Sequence, residues 1–189
     1  GKRNLCEDFI MASSKAGATA IKFQVVYADE LCTQDYKYFK LFKSLEMKNE
    51  EWIKINAFSK KNNIELFLDI FGEKSLKLAE KLKIKTIKVH PTDIDNVGFL
   101  KKIALSNIKN IILGVGGYEY KKIVDAIKLF GNNKNLIIMH GFQGYPTLEE
   151  ENNLYRINFL KNNLNKKNIS FAFADHTLPE SKYNYLPSI

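Results

Sequence analysis

Along the 189 residues, short apolar runs alternate with longer stretches in which apolar positions recur at helical spacing. The runs are AIKFQVV (Ala20 to Val26), IELFLDI (Ile64 to Ile70), TIKVH (Thr86 to His90), NIILGV (Asn110 to Val115), NLIIMH (Asn135 to His140) and ISFAFADH (Ile169 to His176). Each is short, rich in β-branched or aromatic residues and close to continuously apolar, which predicts strands covered on both faces, as in a parallel sheet. Between them, Ile123, Ala126, Ile127 and Phe130 fall at i, i+3, i+4 and i+7, and Gly131 follows as a helix stop. Leu76, Ala79 and Leu82 recur every three residues, as do Trp52, Ile55 and Phe58; Leu154, Ile157, Leu160 and Leu164 form another stripe. Strand starts return roughly every 20 to 45 residues, so successive units read as βα repeats. No linker rich in Pro, Gly or Ser interrupts them, and a single domain over 1–189 is expected.

Six such units fit an open doubly wound sheet or a barrel lacking staves. An open nucleotide-binding sheet calls for a glycine-rich turn after its first strand. Here AIKFQVV is followed by YADELCTQD, without glycine. Gly114-Val115-Gly116-Gly117 lacks the full fingerprint and reads as a tight turn after a strand. The expectation is therefore an α/β fold of the (β/α)8 type.

Composition narrows the picture only a little. A hydrophobic fraction of 45% and a charged fraction of 26% are those of an ordinary globular domain. No apolar run approaches the roughly 18 residues of a membrane span, and the start, GKRNLCEDFIMASSKAG, mixes charge into its apolar stretch, unlike a secretory signal. Cys6 and Cys32 lie far apart without metal-type spacing, so two reduced thiols in a cytoplasmic protein are expected. The net charge of +8 raises the question of a nucleic-acid or anionic-lipid partner. Its source is scattered lysine, and Arg3 and Arg156 are the only arginines. A solvated basic surface is the better reading, with neither nucleic acid nor membrane as partner.

In parallel α/β folds, function gathers at the C-terminal ends of the strands. The polar residues there are Lys22 and Gln24, Asp69, Lys88 with His90, His140, and Asp175-His176-Thr177. Lys22 and Lys88 each sit inside an apolar strand, where a buried ammonium requires a nearby anion. Converging at a barrel mouth, the two would hold a carboxylate or phosphate; alternatively each carries its charge out past the strand end. His176 suits a metal ligand or an acid–base group, although a lone histidine is more often structural. His90 and His140 stand at equivalent strand ends.

Read in order, AGATAIKFQ, LFKSLEM with its helix, IKVHPTDIDN, ILGVGG, MHGFQGYPT and FADHT resemble the N-terminal barrel of the sialic acid synthases (N-acetylneuraminate and related nonulosonate synthases). The matching segments run from Ala16 to Thr177. The resemblance implies condensation of phosphoenolpyruvate with an N-acetylated aminosugar, in the cytoplasm, by a protein whose parent is a homodimer. It also implies that Lys22 and Gln24 line the substrate site, that Lys88 contacts phosphoenolpyruvate, and that Asp93 and Tyr145 meet the sugar. Gln143 would be a substrate-binding amide, longer than the family's. His176 would be one of two histidines holding a divalent metal, manganese or alternatively magnesium, which polarises the sugar aldehyde.

The chain also departs from the family. At strand ends where the family carries phosphate-cradling hydroxyls, it has Ile70, Pro91, Gly114 and Ala174, and the loop after Leu31 is short. The resemblance further implies that the barrel's first strand, with a catalytic glutamate, precedes Gly1. The eighth strand, with the second metal histidine, would follow Ile189, as would an antifreeze-like domain. On that reading these residues alone are inactive. Two alternatives stay open: a repurposed sugar-binding barrel without chemistry, and another phosphoenolpyruvate-dependent 3-deoxy-sugar-acid synthase.

Overall fold

The computed structural model describes residues 1–178 and 180–181. Each apolar run contains one strand: β1 (Ala20–Gln24), β2 (Glu65–Ile70), β3 (Thr86–Val89), β4 (Asn110–Gly114), β5 (Asn135–His140) and β6 (Ile169–Phe173). The helices among the described residues are α1 (Arg3–Lys15), α2 (Ala28–Leu31), α3 (Phe39–Leu45), α4 (Asn49–Lys61), α5 (Glu73–Lys81), α6 (Val97–Leu105), α7 (Tyr120–Phe130) and α8 (Tyr155–Asn163). The chain divides into two compact units. The first comprises Gly1–Lys88 with Ser106–Ile108, and the second Val89–Leu105 with the chain from Lys109 onward. Both are α/β with parallel strands.

In the first unit β1 and β2 pair in parallel, Lys22 opposite Phe67 and Gln24 opposite Asp69, and β3 follows β2 in sheet order. Side chains alternate across a strand, so Leu66, Leu68 and Ile70 share one face of β2, and all three are buried. α4 and α5 pack against β2 and contribute buried Trp52, Ile55, Leu76 and Ala79. α4 carries Glu50 and Glu51 in its first turn and Lys60 and Lys61 in its last, matching the helix dipole at both ends.

The second unit sets β4, β5 and β6 side by side in parallel, Gly114 opposite Met139 and His140 opposite Phe173. The stripe Ile123, Ala126, Ile127 and Phe130 is buried along α7, which packs on α6. Gly131 then stops the helix at φ 58°, ψ −148°, a conformation that only glycine adopts without strain.

Two expectations change. The stripe of α8 is buried only at its C-terminal end: Leu160 and Leu164 are enclosed, whereas Leu154 is 40% exposed. β1 and β6 are only partly buried, because each has a strand neighbour on one side and so less cover than β2 to β4. Among the described residues, no helix is long and apolar enough to cross a membrane.

Core and surface leucines should differ sharply in urea unfolding. Leu68→Ala, at a fully buried β2 position, is expected to lose about 2–5 kcal/mol of stability. Leu105→Ala, where the side chain is 87% exposed, should stay within about 0.5 kcal/mol of wild type.

Candidate functional site

On the face of β1 and β2 opposite the helix-packed leucines stand Lys22, Gln24, Phe67 and Asp69. Asp69 is completely buried. A carboxylate taken out of water needs positive charge beside it, and two ammonium groups supply it. Lys22 Nζ donates to Asp69 Oδ2 at 2.9 Å, and Lys88 Nζ donates to the same oxygen at 3.2 Å. The Lys22 side chain keeps 32% of its accessible surface and Lys88 only 12%. Burial pulls the Lys88 ammonium below the ordinary lysine range. The Asp69 charge opposes that shift, and the Lys22 charge adds to it. Asp69 Oδ1 is buried without a hydrogen-bond partner.

Lys22 and Lys88 are thus brought together as their sequence context suggested, but on an anion that belongs to the chain. The sequence had placed Asp69 among the strand-end polar residues without giving it a role. The signal was a single acid inside LFLDI, in a strand next to one that carries an in-strand lysine. Gln24 lies exposed on the same face. Nearby in this unit, the Glu30 carboxylate accepts hydrogen bonds from Ser75 N at 3.2 Å, from Ser75 Oγ at 2.7 Å and from Lys74 N. It caps the first turn of α5 and ties α2 to the loop after β2.

In the second unit the loops after β5 and β6 hold Gln143, Tyr145 and His176. His176 Nδ1 lies 2.7 Å from the Phe142 carbonyl oxygen. A carbonyl can only accept, so Nδ1 carries the proton and the neutral ring keeps a lone pair on Nε2. The Tyr145 ring meets the imidazole edge-on at 6.1 Å and is 78% exposed. Gln143 Nε2 donates to the Gly141 carbonyl at 3.2 Å. Asp175 Oδ1 accepts from Thr177 N and Oγ1 at 2.9 and 2.7 Å, bracing the backbone around His176. Asp93 occupies a separate 3-10 turn after β3, Pro91–Asp93, and is half-buried there. His90 Nδ1 is 3.2 Å from Thr92 Oγ1 at the start of that turn.

His140 stands at the end of β5, as its position in the sequence suggested. It shares a face of β5 with buried Leu136 and Ile138, is 5% exposed, and directs Nε2 to the Asn152 carbonyl oxygen at 2.9 Å. It is a packing residue.

Gly114 and Gly141 are held without side chains by their neighbours. A Cβ on Gly114 would lie 2.7 Å from Pro91 Cδ, and one on Gly141 would lie 2.7 Å from the Ala174 carbonyl oxygen. Pro91 and Ala174 fill the space that side chains at the neighbouring strand ends would need. A groove of about 700 Å³ lined by Asn132, Asn135, Lys166, Lys167 and Asn168 opens at the N-terminal ends of β5 and β6, away from these loops.

The sequence model of the NeuB family matches residues 9–184. An uncharacterized protein of Methanocaldococcus jannaschii is 29% identical over 94% of this chain and 52% of its own length. The N,N'-diacetyllegionaminic acid synthase of Legionella pneumophila is 24% identical over 94% of this chain and 54% of its own. Among solved structures, the N-acetylneuraminic acid (sialic acid) synthetase of Leptospira borgpetersenii superposes with a TM-score of 0.85 at 27% identity, over 93% of this chain and 60% of that one. The chain spans about half the length of the curated relatives it matches.

Burial, the largest effect, holds His140 below the ordinary histidine range; its hydrogen bond to the Asn152 carbonyl opposes that shift. The unfolded chain therefore takes up the proton first as pH falls, and folding stability should decline from about pH 6.5 downward. Urea midpoints measured at about pH 7.5 and pH 5.5 check this, and His140→Gln should flatten the decline.

Proposed function

This chain belongs to the NeuB family, and on that premise we propose that it forms most of a (β/α)8 barrel in a cytoplasmic enzyme condensing phosphoenolpyruvate with an N-acetylated aminosugar. The product would be a sialic acid-type nonulosonate, with release of phosphate. Its six strands would be strands two to seven of the eight. The observation that carries the reading is the pair of ammonium groups, Lys22 and Lys88, held on one strand face within 3.2 Å of a common carboxylate oxygen. Two in-strand lysines meeting in this way form a cationic centre suited to an anionic substrate. Relatives whose names are sialic acid-type synthases support the sugar-acid side.

In this reading Lys22 and Lys88 hold the anionic groups of phosphoenolpyruvate and orient its methylene carbon for attack on the sugar aldehyde. Gln24 and Gln143 supply amide hydrogen bonds, and Asp93 and the Tyr145 phenol meet the sugar. When bound, a divalent metal, manganese first and magnesium as alternative, polarises the aldehyde. His176 fits it as one ligand, since the Phe142 carbonyl fixes the proton on Nδ1 and leaves Nε2 free. Among the described residues no group of three or more His, Cys, Asp or Glu side chains is arranged to complete such a site. The parent protein would act as a homodimer.

A second reading, a sugar-binding barrel without chemistry, draws on the tight packing of Pro91 against Gly114 and of Ala174 against Gly141, which leaves no room for a side chain at either glycine.

Phosphate release by the full-length protein separates the two. With phosphoenolpyruvate, manganese and a panel of N-acetylated aminosugars, release should require both metal and sugar. It should fall at least about a hundredfold in Lys88→Ala. A folded, metal-loaded protein that releases no phosphate with any sugar would favour the binding barrel.

A further inference from the structure

Asp69 has no part in the reaction as proposed, yet it lies against both groups that would hold the substrate. Its Oδ2 receives Lys22 Nζ at 2.9 Å and Lys88 Nζ at 3.2 Å. An anion entering between the two lysines meets this fixed negative charge at short range. The carboxylate cannot withdraw from it. Asp69 is fully buried, in register with Gln24, and its backbone carbonyl accepts a hydrogen bond from Val25 N at 3.0 Å. Among the described residues its Oδ1 has no donor, and the stabilisation of this buried charge comes through the two lysines. Asp69 therefore competes for them with any ligand.

We propose that Asp69 is a resident counterion that sets the anion selectivity of the site, leaving the lysine pair with one net positive charge and cutting the advantage that a doubly charged group would otherwise hold over a singly charged carboxylate. The proposal rests on the reading of Lys22 and Lys88 as substrate-holding residues and deepens it by naming the class of charge they hold. The physical basis is simple. Attraction to an anion scales with the net charge it meets, and the Lys88–Asp69 contact, with Lys88 only 12% accessible, is weakly screened by salt. Two unopposed ammonium groups would attract a dianion far more strongly than a monoanion. With Asp69 between them, the extra charge of a dianion meets repulsion from the carboxylate as well as attraction to the lysines. Phosphoenolpyruvate would then be gripped here chiefly by its carboxylate. That fits a chain whose strand ends Ile70, Pro91, Gly114 and Ala174 offer no hydroxyls to a phosphate.

Asp69 also acts on the proton of Lys88. The charged groups that act on this ammonium are Asp69 on β2, which favours it, and Lys22 on β1, which opposes it. Without the carboxylate, Lys88 surrenders its proton at lower pH.

Calorimetric titration of the full-length protein at low ionic strength tests the proposal. The probes are sulfate, a dianion throughout pH 6–9, and pyruvate, a monoanion throughout; specific binding is the part lost in Lys88→Met. In wild type, sulfate should bind no more than about tenfold more tightly than pyruvate. In Asp69→Asn, sulfate should tighten by about tenfold or more near pH 6.5, pyruvate by clearly less, and the gain should fade toward pH 9. A folded Asp69→Asn in which both anions weaken, or in which sulfate gains no more than pyruvate, overturns the proposal. If Asp69→Asn does not fold by circular dichroism, Lys22→Gln decides instead. It leaves Asp69 facing Lys88 alone, with no net charge, and should abolish specific sulfate binding; binding within about threefold of wild type overturns the proposal. Phosphate release reads the synthase function separately. Expected probe selectivity without turnover sinks the reaction and keeps the counterion, whereas turnover without the selectivity sinks only the counterion.

Discussion

A carboxylate enclosed by protein must find positive charge within a few ångströms, and Asp69 imposes that requirement on the strands around it. It sits on β2, and the ammonium groups that satisfy it come from β1 and β3, on either side. Parallel pairing makes this arrangement available. Neighbouring strands in register present alternate side chains on the same side, so Lys22, opposite Phe67 and two residues before Asp69's partner Gln24, reaches the acid along the strand face. The same alternation sends Leu66, Leu68 and Ile70 to the opposite face, where α4 and α5 cover them. One strand thus carries an apolar seam and a charged site at once.

The electrostatics of the trio are a balance of opposed effects. Desolvation disfavours the Lys88 charge, the carboxylate supports it, and Lys22 works against it. Lys22 keeps about a third of its surface in water and can exchange its partner for solvent; Lys88 has little such freedom. The two lysines are therefore unequal, with Lys88 the more committed to the buried acid and the more sensitive to what replaces it. A site assembled in this way is already electrostatically occupied, which separates it from a bare pair of cations waiting for an anion.

The second unit orders its loop residues by hydrogen bonding. The Phe142 carbonyl fixes the His176 tautomer, Asp175 and Thr177 brace the backbone on either side, and Tyr145 lies edge-on to the imidazole. His140, at the end of β5 beside these loops, is consumed by packing and by its bond to the Asn152 carbonyl. The close contacts of Gly114 with Pro91 and of Gly141 with Ala174 show how a βα loop can lose a hydroxyl and fill the space with hydrocarbon.

The amino-acid sequence by itself determined the six strands, each inside one of the six apolar runs, and the buried stripe of α7 with its glycine stop. Those features depend on spacing between near neighbours, and near neighbours are what periodicity records. It also marked Lys22 and Lys88, because a lysine inside an apolar strand is conspicuous wherever the strand ends up. The motif order from KFQ to DHT was legible as well, and the family match spans the same stretch. Tertiary structure alone decided that both lysines share Asp69, across separations of 47 and 19 residues. It alone turned His140 to the packed face of β5, set His176 Nδ1 on the Phe142 carbonyl, and left Leu154 of the α8 stripe in solvent. Such outcomes turn on which face meets which partner, and that is settled only when distant strands pair and their buried charges must be matched.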